Sequence, residues 1–201
     1  MRLGEYDASS DTEIPTHEDF AARRIIVHKN YNSSDLQNDI ALIQLETPVS
    51  FKSHIVPICL PESGVTFGNQ EAVVSGWGST TGAIHDIRMK LRHTRVTVVS
   101  NSECSTWAQA HNASLVISET HLCAGARSSS PCYGDSGGPL SVTKNGRAVL
   151  IGVFSAFEDS EIIDGLTYYA NVSTHLQWIR ANIDRSEAEL TATAFPNIYL
   201  V

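Results

Sequence analysis

Cys132-Tyr133-Gly134-Asp135-Ser136-Gly137-Gly138-Pro139-Leu140 is the most specific string in this sequence, and the fold turns on how it is read. A serine set among glycines suits a hydroxyl that must be reachable, because glycine lets neighbouring backbone N–H groups come close enough to hold an oxyanion. Gly134-x-Ser136-x-Gly138 also meets the nucleophile-elbow pattern of a doubly wound sheet, which needs an acid and then a histidine further on. Asp164 and His175 follow in that order, but the surrounding sequence does not supply the sheet. Outward from the string in both directions run short stretches of strand composition: 24–27, 40–45, 71–75, 89–99, 122–125, 148–154 and 167–172. A short helix fits 102–110. A clearer one starts near Ser173, which would cap it, and presents Leu176, Ile179 and Ile183 at helical spacing. Residues 7–19 read as an exposed acidic loop, 56–61 as a proline-punctuated connector, and 184–201 as a tail without a clear packing role. Helices between the strands are missing, so the pattern predicts an all-β antiparallel barrel or sandwich with a C-terminal helix.

Composition narrows the function classes. The chain has 201 residues, 42% of them hydrophobic, enough for one buried core. Asp plus Glu number 22 against 14 Lys plus Arg, a net charge of −8, which weighs against a nucleic-acid partner. No apolar run approaches the ~18 residues of a membrane span. No metal-ligand cluster, phosphate loop or basic-aromatic stripe is present, so neither a metal nor another cofactor is expected. The cysteines Cys59, Cys104, Cys123 and Cys132 are spaced too widely for a zinc knuckle, and sequence alone leaves their pairing open. They combine with sequons at Asn32, Asn112 and Asn171 to favour an extracellular, secreted protein. The stretch Met1–Asp7 has no apolar core and is not a signal peptide.

The 132–140 string is one of several separated matches to a known family. Asn38-Asp39-Ile40-Ala41-Leu42, Pro57-Ile58-Cys59-Leu60-Pro61, Gly76-Trp77-Gly78 and the closing strand and helix through Trp178-Ile179 are the others. In their order and spacing the sequence resembles the chymotrypsin/trypsin family of secreted serine endopeptidases. The opening Arg2-Leu3-Gly4-Glu5-Tyr6 is similar to that of arthropod clip-domain members. The resemblance covers residues 2 to about 183. It implies a peptidase domain over 1–183, followed by the 184–201 tail. The fold it implies is a trypsin-like double antiparallel β-barrel with its site in the cleft between barrels.

By family pattern Ser136 is the acyl nucleophile, Asp39 the buried carboxylate that orients a histidine, and the Gly134 and Ser136 amides the oxyanion hole. Asp135 is the activation-switch acid, which pairs with a new amino terminus. Cys104 and Cys123 form a disulfide. Cys59 and Cys132 lack their family partners. Ala72 and Val142 replace a further family bridge. Ser130 falls where a trypsin-like enzyme carries its pocket-floor Asp, so no preference for Lys or Arg is expected. Ser155, Phe157 and Thr167 complete a pocket that would be narrow or closed.

The family's catalytic histidine lies in a Thr-Ala-Ala-His-Cys segment that would precede Arg2. The resemblance therefore implies an N-terminally truncated domain with an incomplete first barrel and no catalytic base. None of His17, His28, His54, His85, His93, His111, His121 or His175 follows the required motif, and each reads as exposed or structurally paired. Two functions follow as expectations. One is a serine endopeptidase acting on peptides or proteins, whose present chain is inactive alone. The other is a noncatalytic homologue that binds a protein partner in an extracellular protease cascade. The sequence leaves the oligomeric state open.

Overall fold

The computed structural model describes residues 1–79, 88–111, 113, 115–125, 133–157, 165–189 and 198–200, with side chains left out beyond 183. Ser130, Cys132, Asn112 and His85 lie outside the described residues.

Six strands close into an antiparallel barrel. They are β5 (Glu71–Gly76), β6 (Arg92–Val99), β7 (His121–Gly125), β8 (Pro139–Lys144), β9 (Arg147–Phe157) and β10 (Leu166–Asn171), ordered β10-β7-β6-β5-β8-β9, with β9 paired back to β10. Alternation along β5 and β6 sends Ala72, Val74, Val96 and Val98 inward. They meet Leu122, Leu140, Ile151, Phe154 and Tyr169 in one core. Ala72 and Val142 both lie in this core, and the Val73↔Ser141 register sets them side by side on neighbouring strands. Two small apolar residues therefore pack against each other where the resemblance implies a bridge in other members.

The other half is open. Among the described residues, strands β1 (Arg2–Leu3) and β2 (Glu18–Asp19) pair only with each other. Strands β3 (Ala22–Val27) and β4 (Ala41–Leu45) pair antiparallel. Among the described residues, one barrel is therefore closed and the N-terminal half forms two small sheets that do not close. The 7–19 stretch is less loop-like than the sequence predicts. It ends in β2, and Asp7 forms an antiparallel bridge with Lys90.

Helix α1 (Asn101–Ala110) begins with a capping box: the Ser100 hydroxyl accepts the Glu103 N–H, and the Glu103 carboxylate accepts the Ser100 N–H. Cys104 and Cys123 are bonded, which fastens this helix to β7, and both are fully buried against Tyr168. Helix α2 (Val172–Glu189) starts one residue earlier than read from sequence, and its cap differs too. Asn171 Oδ1 accepts the Ser173 N–H, while Ser173 is inside the helix. Leu176 and Ile179 pack with Val153 of β9 and with Ile40 and Leu42, so α2 ties β4 to the outside of the barrel. The 184–201 stretch, read as a tail without a packing role, extends α2 and then supplies β11 (Ile198–Leu200). That strand pairs antiparallel with β4 on the edge opposite β3. A buried strand leaves costly unpaired N–H and C=O groups at an open edge, and β11 pairs with those of β4.

The 56–61 segment crosses the barrel as expected: the Cys59 N–H donates to Ala148 O and the Leu150 N–H to Cys59 O. Cys59 is a free, half-buried thiol.

Candidate active site

Ser136 lies exposed on the tight loop that enters β8. Two glycines with positive φ shape this loop, Gly134 at +94° and Gly137 at +80°. A side-chain-bearing residue adopts such a φ only with strain. The turn closes through the Gly138 N–H on Asp135 O at 2.8 Å. The amides of Gly134 and Ser136 donate to no described residue. Backbone N–H groups beside a reachable Ser Oγ are the kind of donor a developing oxyanion requires.

Asp135 turns away from Ser136 toward Gly76 and Gly78. Its Oδ1 accepts the Gly78 N–H at 2.9 Å. A Cβ on Gly76 would lie 1.9 Å from Asp135 Oδ1, and one on Gly78 2.4 Å from Oδ2. The Gly-Trp-Gly string is therefore needed because a carboxylate occupies the side-chain space of both glycines.

Asp39 precedes β4 and is half-buried rather than buried. Its Oδ2 accepts the Ser155 hydroxyl at 2.6 Å. The sequence reading assigns Ser155 to the specificity pocket; in the structure its hydroxyl also holds the acid, a contact that reading did not foresee. The cause is a β-bulge. Tyr168 pairs with Ala156 and Tyr169 with Phe154, so Ser155 is the extra residue on β9. The bulge also breaks the inside-outside alternation. Phe154 and Phe157, three apart, would otherwise face opposite sides. Instead both pack on the barrel core with their rings stacked at 6.4 Å.

The two loops meet through the same short piece of β9. The Gly137 N–H donates to Phe154 O and the Phe154 N–H to Gly138 O, both at 2.9 Å. One residue on, Ser155 reaches Asp39.

Phe157 and Thr167, paired in the sequence reading as pocket walls, are register partners on β9 and β10. Thr167 is 2% exposed. Its hydroxyl donates to Ala124 O at 2.9 Å and shares a hydrogen bond with the Tyr169 hydroxyl at 3.0 Å. Burial pushes the Tyr169 phenol well above its usual range. The Phe157 ring meets Tyr133 edge-on at 5.0 Å, directly before Gly134. Aromatic side chains thus occupy the space beside the Ser136 loop.

The seven described histidines are engaged elsewhere or exposed. His17 Nδ1 lies 3.0 Å from Glu5, His54 Nε2 contacts Thr16 O, and His111 Nδ1 contacts Trp107 O. His28 stacks edge-on to Trp178, and His93 is exposed. His121 Nδ1 accepts the Ser118 N–H. His175 contacts Asn171 O through Nδ1 and Asn38 Oδ1 through Nε2. None is hydrogen-bonded to Asp39 or Ser136. The contact with Asn38 makes His175 a support for the residue before Asp39, which no sequence signal singled out.

Glu5, Glu13 and His17 bring three potential metal-ligand atoms within 4.8 Å, a cluster the sequence reading did not foresee. It is already paired internally. Arg2 and His17 face Glu5, and Glu13 accepts the N–H groups of Tyr6 and Asp7, which holds its carboxyl below the usual range, the Tyr6 bond most. Of the described sequons, Asn32 is exposed. Asn171 is engaged through both side-chain atoms, with Glu119 O and with Ser173.

The family profile described as Trypsin matches residues 1–179. Vitamin K-dependent protein C of Rattus norvegicus is 35% identical over 200 residues, covering 94% of this chain and 42% of that protein. CLIP domain-containing serine protease B4 of Anopheles gambiae is 37% identical over 200 residues, covering 91% and 54%. Serine proteinase stubble of Drosophila melanogaster is 34% identical over 160 residues, covering 77% and 20%. The chain therefore spans about half or less of the length of these relatives.

Proposed function

Because the chain belongs to the trypsin family of serine endopeptidases, we propose that Ser136 is the acyl nucleophile of a peptide-hydrolysing site whose present chain does not turn over alone. In this reading Asp39 is the orienting acid and the amides of Gly134 and Ser136 are the oxyanion donors. Asp135 is the carboxylate that a new amino terminus would claim on activation. The observation that carries the inactivity is the environment of Asp39. Its hydrogen bond goes to Ser155, and no described histidine is bonded to it or to Ser136. A serine hydroxyl without a base keeps its proton at neutral pH and attacks poorly, while oxyanion donors contribute on their own. The base is expected from an upstream Thr-Ala-Ala-His-Cys segment, and the coding sequence 5′ of Met1 tests that directly.

We place the parent protein outside the cell, in keeping with the Cys104–Cys123 bond. Its substrates are peptides or proteins. Phe157 and Thr167 favour small apolar side chains at a narrowed pocket. A second reading, a noncatalytic homologue that binds a protein partner, is favoured by the Tyr133–Phe157 pair beside the Ser136 loop. The test applies a fluorophosphonate probe and a small-residue peptide substrate to the 201-residue chain. Neither Ser136 labelling nor cleavage is expected. Cleavage abolished by Ser136→Ala would overturn the inactivity.

A further inference from the structure

The acidic chain carries a concentrated positive feature in a groove whose lining does not include the Ser136 loop. The groove, of about 560 Å3, is lined by Tyr6, Arg88, Met89, Lys90, Leu91 and Arg92, with His93 at its end. Net charge over the whole chain is −8, so three cations within five residues are a local reversal of sign. Their backbone is fixed on both sides. The Ala8 N–H donates to Met89 O, the Leu91 N–H to Tyr6 O, and the Arg88 N–H to Trp77 O, each at 2.8 Å. Trp77 Nε1 also donates to Tyr6 O. The chain bends at Met89, and beyond the bend Lys90 bridges Asp7 and Arg92 opens β6, which puts these two side chains two residues apart, about 6.6 Å at strand spacing. Lys90 and Arg92 are thus held near the repeat of an extended peptide and need little ordering on binding.

The charges of Lys90 and Arg92 are incompletely answered. Lys90 Nζ is 3.6 Å from Asp7 in an exposed pair, a contact worth little in water. Arg92 is exposed and makes no ion pair with a described residue. Between the cations the surface is apolar: Tyr6 and Met89 are each 53% exposed. Tyr, Met and Arg are the residue types enriched at protein-interface cores. The volume suits a short segment rather than a folded surface. A long polyanion would run on toward Asp7, Asp11 and Glu13, where the local charge is negative again.

We propose that this groove docks a short, extended, acidic–apolar peptide segment of a partner protein, with acidic side chains at alternate positions on Lys90 and Arg92 and an apolar side chain against Tyr6 and Met89. The site is independent of whether Ser136 is catalytically competent.

The test is fluorescence polarisation of fluorescein-labelled Gly-Glu-Phe-Asp-Leu-Glu-Gly with the full chain. Saturable binding is expected in the range of about 10–100 µM. The double variant Lys90→Glu/Arg92→Glu should weaken it by about tenfold or more, and raising salt from about 50 to about 500 mM should do the same. The milder Lys90→Gln/Arg92→Gln pair, checked for an unchanged circular dichroism spectrum, should weaken it in the same direction. Tyr6→Ala should weaken binding without altering the salt dependence. Three results overturn the proposal: no saturation below about 1 mM, equal binding by both charge variants and wild type, or stronger binding of a heparin tetrasaccharide than of the peptide through these residues.

Discussion

Replacing both Cys104 and Cys123 by Ala is expected to cost about 3 kcal/mol, and the figure follows from the chain. The bridge spans a sequence separation of 19. The loop-entropy relation gives about 3 kcal/mol at 25 °C for a closed loop of that size. Both cysteines are 0% exposed and pack on Tyr168, so the vacated sulfur volume adds a smaller cavity cost to the entropic one. Against a total stability of about 5–15 kcal/mol, the loss is a large share. It corresponds to a melting temperature lower by about 6–12 °C for a chain of this size. Serine at both positions should be worse than alanine, because each buried hydroxyl then needs a partner. The assay is urea denaturation with and without dithiothreitol. Reduced wild type should fall close to the double-alanine variant, and that variant should not respond to reductant. A loss below about 1 kcal/mol would refute the loop argument. A double-alanine variant that still responds to reductant would show that Cys59 is bonded, against its free state here.

Burial holds His28, His121 and His175 below the ordinary imidazole range. The unfolded chain therefore takes up protons first, and stability is full above pH ~6.5 and lost as pH falls below it, by up to about 1.4 kcal/mol per pH unit for each histidine. Urea midpoints at pH 7.5 and 5.5 read this, and His121→Gln should flatten the difference. Equal slopes in the variant would remove His121 from the account. Gly76→Ala places a methyl where Asp135 Oδ1 lies and should displace that carboxylate from Gly78, at a cost of about 2–4 kcal/mol. An unchanged denaturation midpoint would sink the close-approach argument. After expression through a secretory host, Asn32→Gln should remove one glycan from the intact mass. Asn171→Gln should leave the mass pattern intact and lower stability through the lost helix cap, by about 1 kcal/mol.

The parts of the fold legible in sequence were those governed by short-range rules. Alternation in 71–75 and 89–99 and the apolar run 40–45 each mark a real strand, with ends off by a few residues. Strand β8 escaped because Pro139-Leu140-Ser141-Val142 follows a glycine-rich loop and carries only two apolar residues inward. The N-terminus of α1 was readable and missed: Ser100 and Glu103 stand at capping-box spacing. The role of β11 was not readable, since three residues acquire strand identity only from the edge of β4 that they meet. At the site, the roles read for Asp39, Asp135 and Ser136 came from the order and spacing of motifs resembling a family, not from residue type alone. The bulge at Ser155 was not legible, because it depends on the pairing of β9 with β10 and leaves no trace in one strand's sequence.

That bulge bears on how Asp39 and Ser136 are held when no described histidine is bonded to either. The direct contacts of each are to residues other than histidine. The Ser136 loop is fixed by its backbone bonds to Phe154 and by Asp135 on Gly78. Asp39 is fixed by Ser155, with His175 steadying Asn38 before it. Both sets of contacts converge on residues 154 and 155, so the separation of the two loops is set by the barrel rather than by an imidazole bridging them. A charge-assisted hydrogen bond of this kind contributes about 1.5–3 kcal/mol, enough to keep a half-buried carboxylate in one place. Geometry and proton transfer are therefore separable in this fold. Selection for binding alone could preserve the first while the second is supplied from elsewhere or lost.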